Sequence, residues 1–359
     1  MKKVLVAMSG GVDSSIAAML LLEQGYELVG VTMKTWDYNS SGMEAGESSC
    51  CNLEAFNDAR NLAVKLGFPH YVIDVRNKFE ESVIADFINE YMSGRTPNPC
   101  ALCNPIIKWG ELLKKADQLD CDFIATGHYA VIKKENARFF VSKGKDEVKD
   151  QSYMLWGLSQ ESMKRTLLPL GNYTKEKIKK IAAEKGFDNL ARKRESYEIC
   201  FIPGNNYREF LKYRIPDLNK RIGPGDFVSI HGEFLGKHKG YPYYTIGQRK
   251  GLNVAAGYPL YVIKIIPETN TVILGKREEL YRQSMLVEKI NWMKYPEIAE
   301  NKDVITRIRY KHPGEKSRLE KAGDKIMVVF REKVNAIAPG QSAVFYEGND
   351  LIGGGIIAE

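Results

Sequence analysis

Short apolar runs and longer amphipathic runs alternate along the first half of the chain. Residues 4–8 form an uninterrupted apolar run, the pattern of a strand buried on both faces. Two glycines follow. Residues 14–24 then place Ile16, Met19, Leu20 and Leu22 at helical spacing, and Gly25 ends the run. Residues 27–33 read as a second strand, 52–66 as a helix closed by Gly67, and His70–Asp74 as a third strand. Helices are predicted over 78–92 and 107–119, and a further strand over 121–127. This alternation predicts a parallel sheet covered on both faces, with ligands at the carboxyl ends of its strands. Ser9, Met33 and Gly127 fall at such ends.

The texture changes at Gly223. Residues 226–231, 260–266, 271–274, 304–310, 325–330 and 342–346 are short alternating runs separated by Pro, Gly and Asn. They predict one or two small β-barrels. Between the halves lie a basic helix at 175–185 and a shorter helix at 207–213. The expected fold class is α/β: a parallel-sheet domain over 1–205, a small, mainly β central domain over 206–280, and a C-terminal β-barrel over 281–359.

Composition narrows the function classes. At 359 residues, two or three domains are expected. Hydrophobic residues at 44% and charged residues at 27% exclude a disordered chain. No apolar run approaches the roughly 18 residues that span a bilayer. The first residues lack the apolar stretch of a signal peptide, so a cytoplasmic protein is expected. The net charge of +7 suits a solvated surface and a polyanion partner about equally. Any focus of it is expected on the 175–185 helix and the C-terminal barrel. Basic and aromatic residues there (Arg307, Arg309, Tyr310, Lys311, His312, Lys316, Arg318) predict an RNA-facing strip. Trp36, beside Asp37, Tyr38 and the glycines Gly42 and Gly46, reads as part of a mobile loop.

Two constellations carry chemistry. Ser9-Gly10-Gly11-Val12-Asp13-Ser14-Ser15 joins the first strand to the first helix. Glycines there let the backbone approach an anion, and the helix N-terminus and three hydroxyls donate to it. No lysine follows, so this is not the kinase-type phosphate loop. Asp13 suits a site near Mg²⁺ or an N-terminal cap. The second constellation is cysteine. Six cysteines in a chain this long are not a disulfide framework. Cys100 and Cys103 form a C-x-x-C after two prolines, and Cys200 stands alone in a loop-like segment. Cys103 is expected near a helix N-terminus, with Lys108 nearby in sequence, which favours thiolate. Three readings stay open: a sulfur-transfer pair of Cys103 and Cys200, an iron–sulfur cluster on Cys100, Cys103 and Cys200, or a structural zinc short of one ligand. Cys121 reads as a small buried hydrophobe, as do Cys50 and Cys51.

The S-G-G-V-D-S string resembles the PP-loop of ATP pyrophosphatases. Together with T-P-N-P, C-N, A-T-G-H-Y-A, K-D-Q-S-Y, I-C-F-I, Y-T-I-G-Q-R and A-P-G-Q, in order from Met8 to Gln341, it resembles the tRNA-specific 2-thiouridylase family. That resemblance implies an adenine nucleotide alpha hydrolase-like N-terminal domain and a central domain that binds tRNA. It implies a tRNA-uridine 2-sulfurtransferase that uses ATP and Mg²⁺ to convert wobble uridine U34 to 2-thiouridine. The O2 is adenylated, sulfur comes from a cysteine persulfide, and AMP and pyrophosphate leave. Residue by residue, it implies ATP contacts at Ala7, Met8, Ser9, Gly10, Gly11, Val12, Asp13, Ser14, Met33 and Gly127. It implies a nucleophile at Cys103, a persulfide carrier at Cys200, and a disulfide between them. Contacts to tRNA follow at Asn98, Pro99, Cys100, His128, Lys149, Asp150, Gln151, Arg309, Tyr310 and Gln341. The implied partners are tRNAs for Lys, Glu and Gln, and a sulfur-relay protein or cysteine desulfurase. Cys100 departs from the family, whose best-known members carry Asp there as a proposed acid/base; a thiol, with pKa about 8.5 against about 3.9, is a poor proton shuttle. The same departure keeps alive a [4Fe–4S] cluster on Cys100, Cys103 and Cys200. The role of the motif at 247–251 is left open. Two alternatives are a small-molecule synthetase with the same loop, which would not need the cysteines, and an RNA-binding redox sensor, which would not need the loop.

Overall fold

The computed structural model describes residues 1–36, 53–192, 199–202, 204, 206–299 and 301–359. Readings that fall on Cys50, Cys51, the glycines Gly42 and Gly46, and residues 193–198 lie outside that set.

The N-terminal part is a five-stranded parallel sheet. β1 (Lys3–Ala7) leads into α1 (Val12–Glu23), then β2 (Glu27–Lys34), α2 (Leu53–Leu66) and β3 (His70–Asp74). α3 (Arg76–Phe79) runs through a π turn (Glu80–Ile84) into α4 (Ala85–Met92). α5 (Pro99–Cys103) likewise runs through a π turn (Asn104–Trp109) into α6 (Gly110–Gln118). β4 (Phe123–Ala125) follows. The hairpin β5 (Ala130–Glu135) and β6 (Arg138–Lys143) precedes α7 (Gln160–Lys164), β7 (Thr166–Leu167), α8 (Lys175–Glu184) and α9 (Asp188–Arg192). The sheet order is β3-β2-β1-β4-β7, with β1 central. Val4, Leu5 and Val6 are fully buried, as an unbroken apolar run on a doubly covered strand requires.

The central part opens with α10 (Tyr207–Arg214) and α11 (Leu218–Ile222). Its four strands are β8 (Gly225–Ser229), β9 (Phe234–His238), β10 (Tyr261–Ile266) and β11 (Thr271–Gly275), ordered β10-β11-β8-β9. Strands β12 (Tyr281–Trp292), β13 (Lys302–Arg307), β14 (Glu315–Ala322), β15 (Lys325–Asn335), β16 (Ser342–Glu347) and β17 (Asp350–Ile357) close into a six-stranded barrel through the β12–β17 pairing. The expected fold class therefore holds. The β5–β6 hairpin was not foreseen: it extends the barrel's sheet at Asp350 opposite Ser142. It is fastened there by Lys133 to Asp350 (2.8 Å), while Lys294 holds Glu347 and Asp350 together.

Four expectations need correction. Trp36 is 8% exposed and packs among Phe201 and Phe210, with the Arg214 guanidinium over its ring; it is core, not a mobile loop residue. The predicted basic strip is largely turned inward. Arg307 is ion-paired with buried Asp150, His312 is buried, and Arg309 donates to the Asn335 carbonyl, leaving Lys311, Lys316 and Arg318 exposed. The 175–185 helix buries Lys175, Ile178 and Ala182 against the body of the protein. The charge focus also moves. Residues 208–276 carry eleven Lys and Arg against five Asp and Glu, a net of +6, whereas residues 2–204 carry twenty-seven of each.

Candidate active site

A cavity of about 370 Å³ opens at the carboxyl ends of β1, β2 and β4, within the roughly 300–1,000 Å³ range of small-ligand sites. The glycine-rich loop and the cysteines both line it. Seven of the ten residues predicted to meet ATP line the wall: Ala7, Met8, Ser9, Asp13, Ser14, Met33 and Gly127. The other three shape the turn. Gly10 sits at φ +68°, and a Cβ there would run into the Ala55 carbonyl oxygen. Gly11 is the helix N-cap residue in extended conformation, and Val12 is buried beneath it. Ser14 Oγ donates to the Gly11 carbonyl (3.2 Å) and accepts from the Ser9 amide (3.1 Å), which braces the loop. A Cβ on Gly127 would come within 2.9 Å of the Ser14 nitrogen, so β4 ends directly against the start of α1.

Asp13 is not the N-terminal cap. It lies in the first turn of α1, where the buried Lys175 ammonium sits 2.7 Å from its carboxylate and the Tyr129 hydroxyl donates to it at 2.6 Å. That pairing cancels the charge that would repel phosphate at the helix N-terminus. It also bears on Mg²⁺. Mg²⁺ in nucleotide sites takes one or two carboxylates besides phosphate and water. Among the described residues Asp13 is the one carboxylate on the wall, and Lys175 already holds it. The residues present do not form a Mg²⁺ site.

Cys100, Cys103 and Cys200 all line this cavity. The helix carrying the first two begins at Pro99, earlier than the sequence suggested. Asn98 caps it by accepting from the Ala101 amide (3.3 Å). Cys100, not Cys103, is therefore in the first turn; Cys103 lies past the reach of the end-of-helix field and is 9% exposed. Cys100 opens onto the cavity with protein around it. Burial pushes its thiol up, and Lys108 pulls it partly back. Among the described residues no three His, Cys, Asp or Glu converge as metal ligands. The three thiols thus do not form a cluster cage here. Cys121 is buried with Trp109 and Leu112 beneath the sheet, as a small hydrophobe should be.

The residues predicted to meet tRNA fall into three groups. Pro99, Cys100, His128 and Gln151 line the cavity. Asn98, Asp150 and Gln341 instead fasten domains together. Asn98 donates to Ser342 Oγ (3.2 Å), and Gln341 donates to the carbonyls of Thr96 and Pro97 (3.1 and 2.8 Å). Asp150, 5% exposed, accepts from the amides of Gly144 and Ser152, from Ser152 Oγ and from Arg307. Lys149 sits in the turn held by Asp146, Arg309 at the Asn335 loop, and Tyr310 near Tyr153. The 247–251 motif also gains a structural meaning. Gly247 (φ +83°) lies against Ala336 of the barrel. Gln248 accepts from the Thr245 amide and donates to the Lys250 carbonyl, which leaves Arg249 and Lys250 exposed.

The cavity includes residues the sequence reading passed over. Phe79 and Val83, one helical turn apart, form an apolar wall beside Phe201. Thr32 donates to the Met8 carbonyl and pairs with His70 Nε2, both at 2.8 Å, which fixes the end of β1. Thr126 Oγ1 lies 2.7 Å from His128 Nδ1, and Lys108 Nζ lies 3.5 Å from His128 Nε2.

Comparison with known proteins agrees with this layout. Residues 2–204 match the family described as "tRNA methyl transferase HUP domain", residues 208–276 its PRC-barrel domain, and residues 282–357 an aminomethyltransferase beta-barrel domain. A protein of Amoebophilus asiaticus named tRNA-specific 2-thiouridylase MnmA is 58% identical over 99% of this chain and 95% of its own. Proteins of the same name from Cytophaga hutchinsonii and Salinibacter ruber are 56% and 52% identical over 99% of this chain, and 97% and 94% of theirs. A solved 4-thiouridine synthetase–RNA complex with bound ATP shows 17% identity and a TM-score of 0.35 over 60% of this chain and 51% of that one, too slight a likeness to inform the site.

Proposed function

The chain belongs to the tRNA-specific 2-thiouridylase family, and from that premise we propose that it thiolates O2 of the wobble uridine, U34, with ATP as activator and a persulfide on Cys200 as sulfur source. The observation that carries the reading is one cavity lined both by the phosphate loop and by Cys103 and Cys200. A synthetase acting on small molecules would not need the cysteines, and a redox sensor would not need the loop.

Uridine O2 is a poor leaving group. In the first step it attacks the α-phosphorus of ATP, and the bond to pyrophosphate breaks with its electron pair leaving on pyrophosphate. The loop at 9–15 supports this step, since its helix N-terminus attracts an anion and Lys175 balances the Asp13 charge. In the second step the terminal sulfur of the Cys200 persulfide attacks C2. The C2–O bond breaks and AMP leaves with the electron pair. The Cys103 thiolate then attacks Cys200 Sγ. A Cys103–Cys200 disulfide forms, and the electron pair of the broken S–S bond stays on the sulfur of 2-thiouridine. An external dithiol reduces the disulfide, and a sulfur-relay protein or cysteine desulfurase reloads Cys200. The base must leave its stack to enter the cavity, which suits a target in the anticodon loop of tRNAs for Lys, Glu and Gln. Exposed Arg249 and Lys250, within the section of net charge +6, suit a polyanionic partner.

The persulfide route needs Cys103 and Cys200 but not Cys100. The test is Cys100→Ala, purified anaerobically beside the wild type and analysed for iron, sulfide and 2-thiouridine formation. The expected result is neither iron nor sulfide in stoichiometric amount and thiolation within about threefold of wild type. About four irons per chain in the wild type, lost together with activity in the variant, would replace the persulfide with a cluster.

A further inference from the structure

Lys108 stands out on the cavity wall. Among the described residues it is the one lysine or arginine that lines the cavity, and no described carboxylate pairs with it. It projects from the π turn (Asn104–Trp109), five residues beyond Cys103, and lines the same cavity as the phosphate loop and the thiols. Among the described residues its hydrogen-bond partner is His128 Nε2 at 3.5 Å. An ammonium donates and cannot accept, so Nε2 must present its lone pair. The ring proton is then on Nδ1, where Thr126 Oγ1 receives it at 2.7 Å. Burial, and next the Lys108 charge, hold the imidazole well below its ordinary pKa, in keeping with that neutral tautomer. His128 is thus a fixed acceptor that aims the ammonium, and Trp109, packed 5.4 Å from the ring centre, limits its rotation.

A half-buried cation without a carboxylate is costly unless an anion completes it. We infer that Lys108 is the phosphate-binding residue of the reaction chamber, holding the α-phosphate of the nucleotide where it is joined to the target oxygen and leaves as AMP, and that His128 and Thr126 are its positioning residues. The inference rests on the thiolation reading for the identity of the substrate, but the chemistry it names is a nucleoside monophosphate. Negative charge on that phosphate grows as the C2–O bond breaks, so a fixed ammonium there favours the transition state over the adenylated ground state. The lysine absent from the glycine-rich loop is in this way supplied from the cysteine helix.

The test compares AMP with adenosine as probes of the full-length protein by calorimetry, in wild type, Lys108→Met and Lys108→Arg. Wild type should prefer AMP. Lys108→Met should cut that preference about tenfold or more, and Lys108→Arg should keep most of it. In single-turnover thiolation of an unmodified tRNA transcript, Lys108→Met should be slowed about 100-fold, the scale set by losing one oxyanion donor. His128→Gln should slow the wild type but add little in the Lys108→Met background, a coupling that a purely structural histidine would not show. An AMP preference unchanged by Lys108→Met, or absent from the wild type, would overturn the inference. A normal AMP preference in a wild type that forms no 2-thiouridine would instead remove the thiolation reading and leave the phosphate site standing.

Discussion

Asp150 separates two views of the K-D-Q-S-Y motif, as an RNA contact and as an internal brace. Its carboxylate is 5% exposed and accepts four hydrogen bonds: Gly144 N at 3.2 Å, Ser152 N at 3.1 Å, Ser152 Oγ at 2.9 Å and Arg307 Nη1 at 3.2 Å. Asp150→Asn keeps the oxygen that serves the two amides. Ser152 Oγ, which also meets Tyr346 OH at 3.0 Å, can reverse its role. What remains is an Arg307 charge facing an amide NH₂. Breaking a buried pair costs about 3–5 kcal/mol. Arg307 retains the His312 and Tyr310 carbonyls, which puts the expected loss at the lower end, about 3 kcal/mol. Asp150→Ala also orphans two buried amides at about 1–3 kcal/mol each, for a total of about 5 kcal/mol or more. Urea unfolding gives the loss, and tRNA affinity measured below the transition gives any binding role. A brace predicts Asn then Ala in rising cost, with tRNA affinity within about threefold wherever the variants are folded. Normal stability in both, with weakened tRNA binding, would refute this reasoning.

Other expectations follow from single contacts. His312 is held down to about 4 by burial and by the charges of Arg309 and Arg307, below its ordinary 6.5. The unfolded chain therefore binds the proton first, and stability falls as pH drops from 6.5 toward 4; the loss at pH 5 is about 2 kcal/mol. Urea midpoints at pH 7 and pH 5 should show that slope, and it should flatten in His312→Gln. Gly10→Ala meets both a positive φ and the Ala55 carbonyl, so the loop must shift at about 1–3 kcal/mol; ATP affinity by calorimetry should drop about tenfold or more, and an unchanged affinity would count against the loop. Replacing Arg249 and Lys250 together by Ala should lower the slope of log affinity for tRNA against log salt by about 2, while AMP binding stays at the wild-type level.

Legibility differed by kind of feature. The parallel sheet could be read from sequence because its buried strands are unbroken apolar runs, and residues 4–8 and 27–33 sit within a residue or so of β1 and β2. The hairpin β5–β6 escaped because β5 ends in Lys133-Lys134-Glu135 and the pair serves a barrel some 200 residues away, a tertiary pairing that local pattern does not encode. The site's glycines were legible as turn chemistry, but the partner of Asp13 was not, since Lys175 arrives from a helix that reads only as basic. Motif matching found Asn98, Asp150 and Gln341 without distinguishing a residue that touches a ligand from one that holds the wall. Arg307 and His312 looked like a surface because alternation along a strand does not say which face of a closed barrel meets another domain. Lys108 was visible only as a neighbour in sequence; its place opposite His128 depends on the π turn that carries it.

We propose that one cavity couples nucleotide cleavage to sulfur transfer through Cys103 and Cys200. The direct measurement counts both products in a single turnover, with persulfide-loaded enzyme, ATP and an unmodified tRNA transcript: AMP by chromatography and 2-thiouridine by nucleoside mass spectrometry. One AMP is expected for each 2-thiouridine, with thiolation abolished in Cys200→Ser and stalled as a tRNA–enzyme adduct in Cys103→Ser. Continued 2-thiouridine formation by Cys200→Ser, or thiolation without AMP, would contradict it.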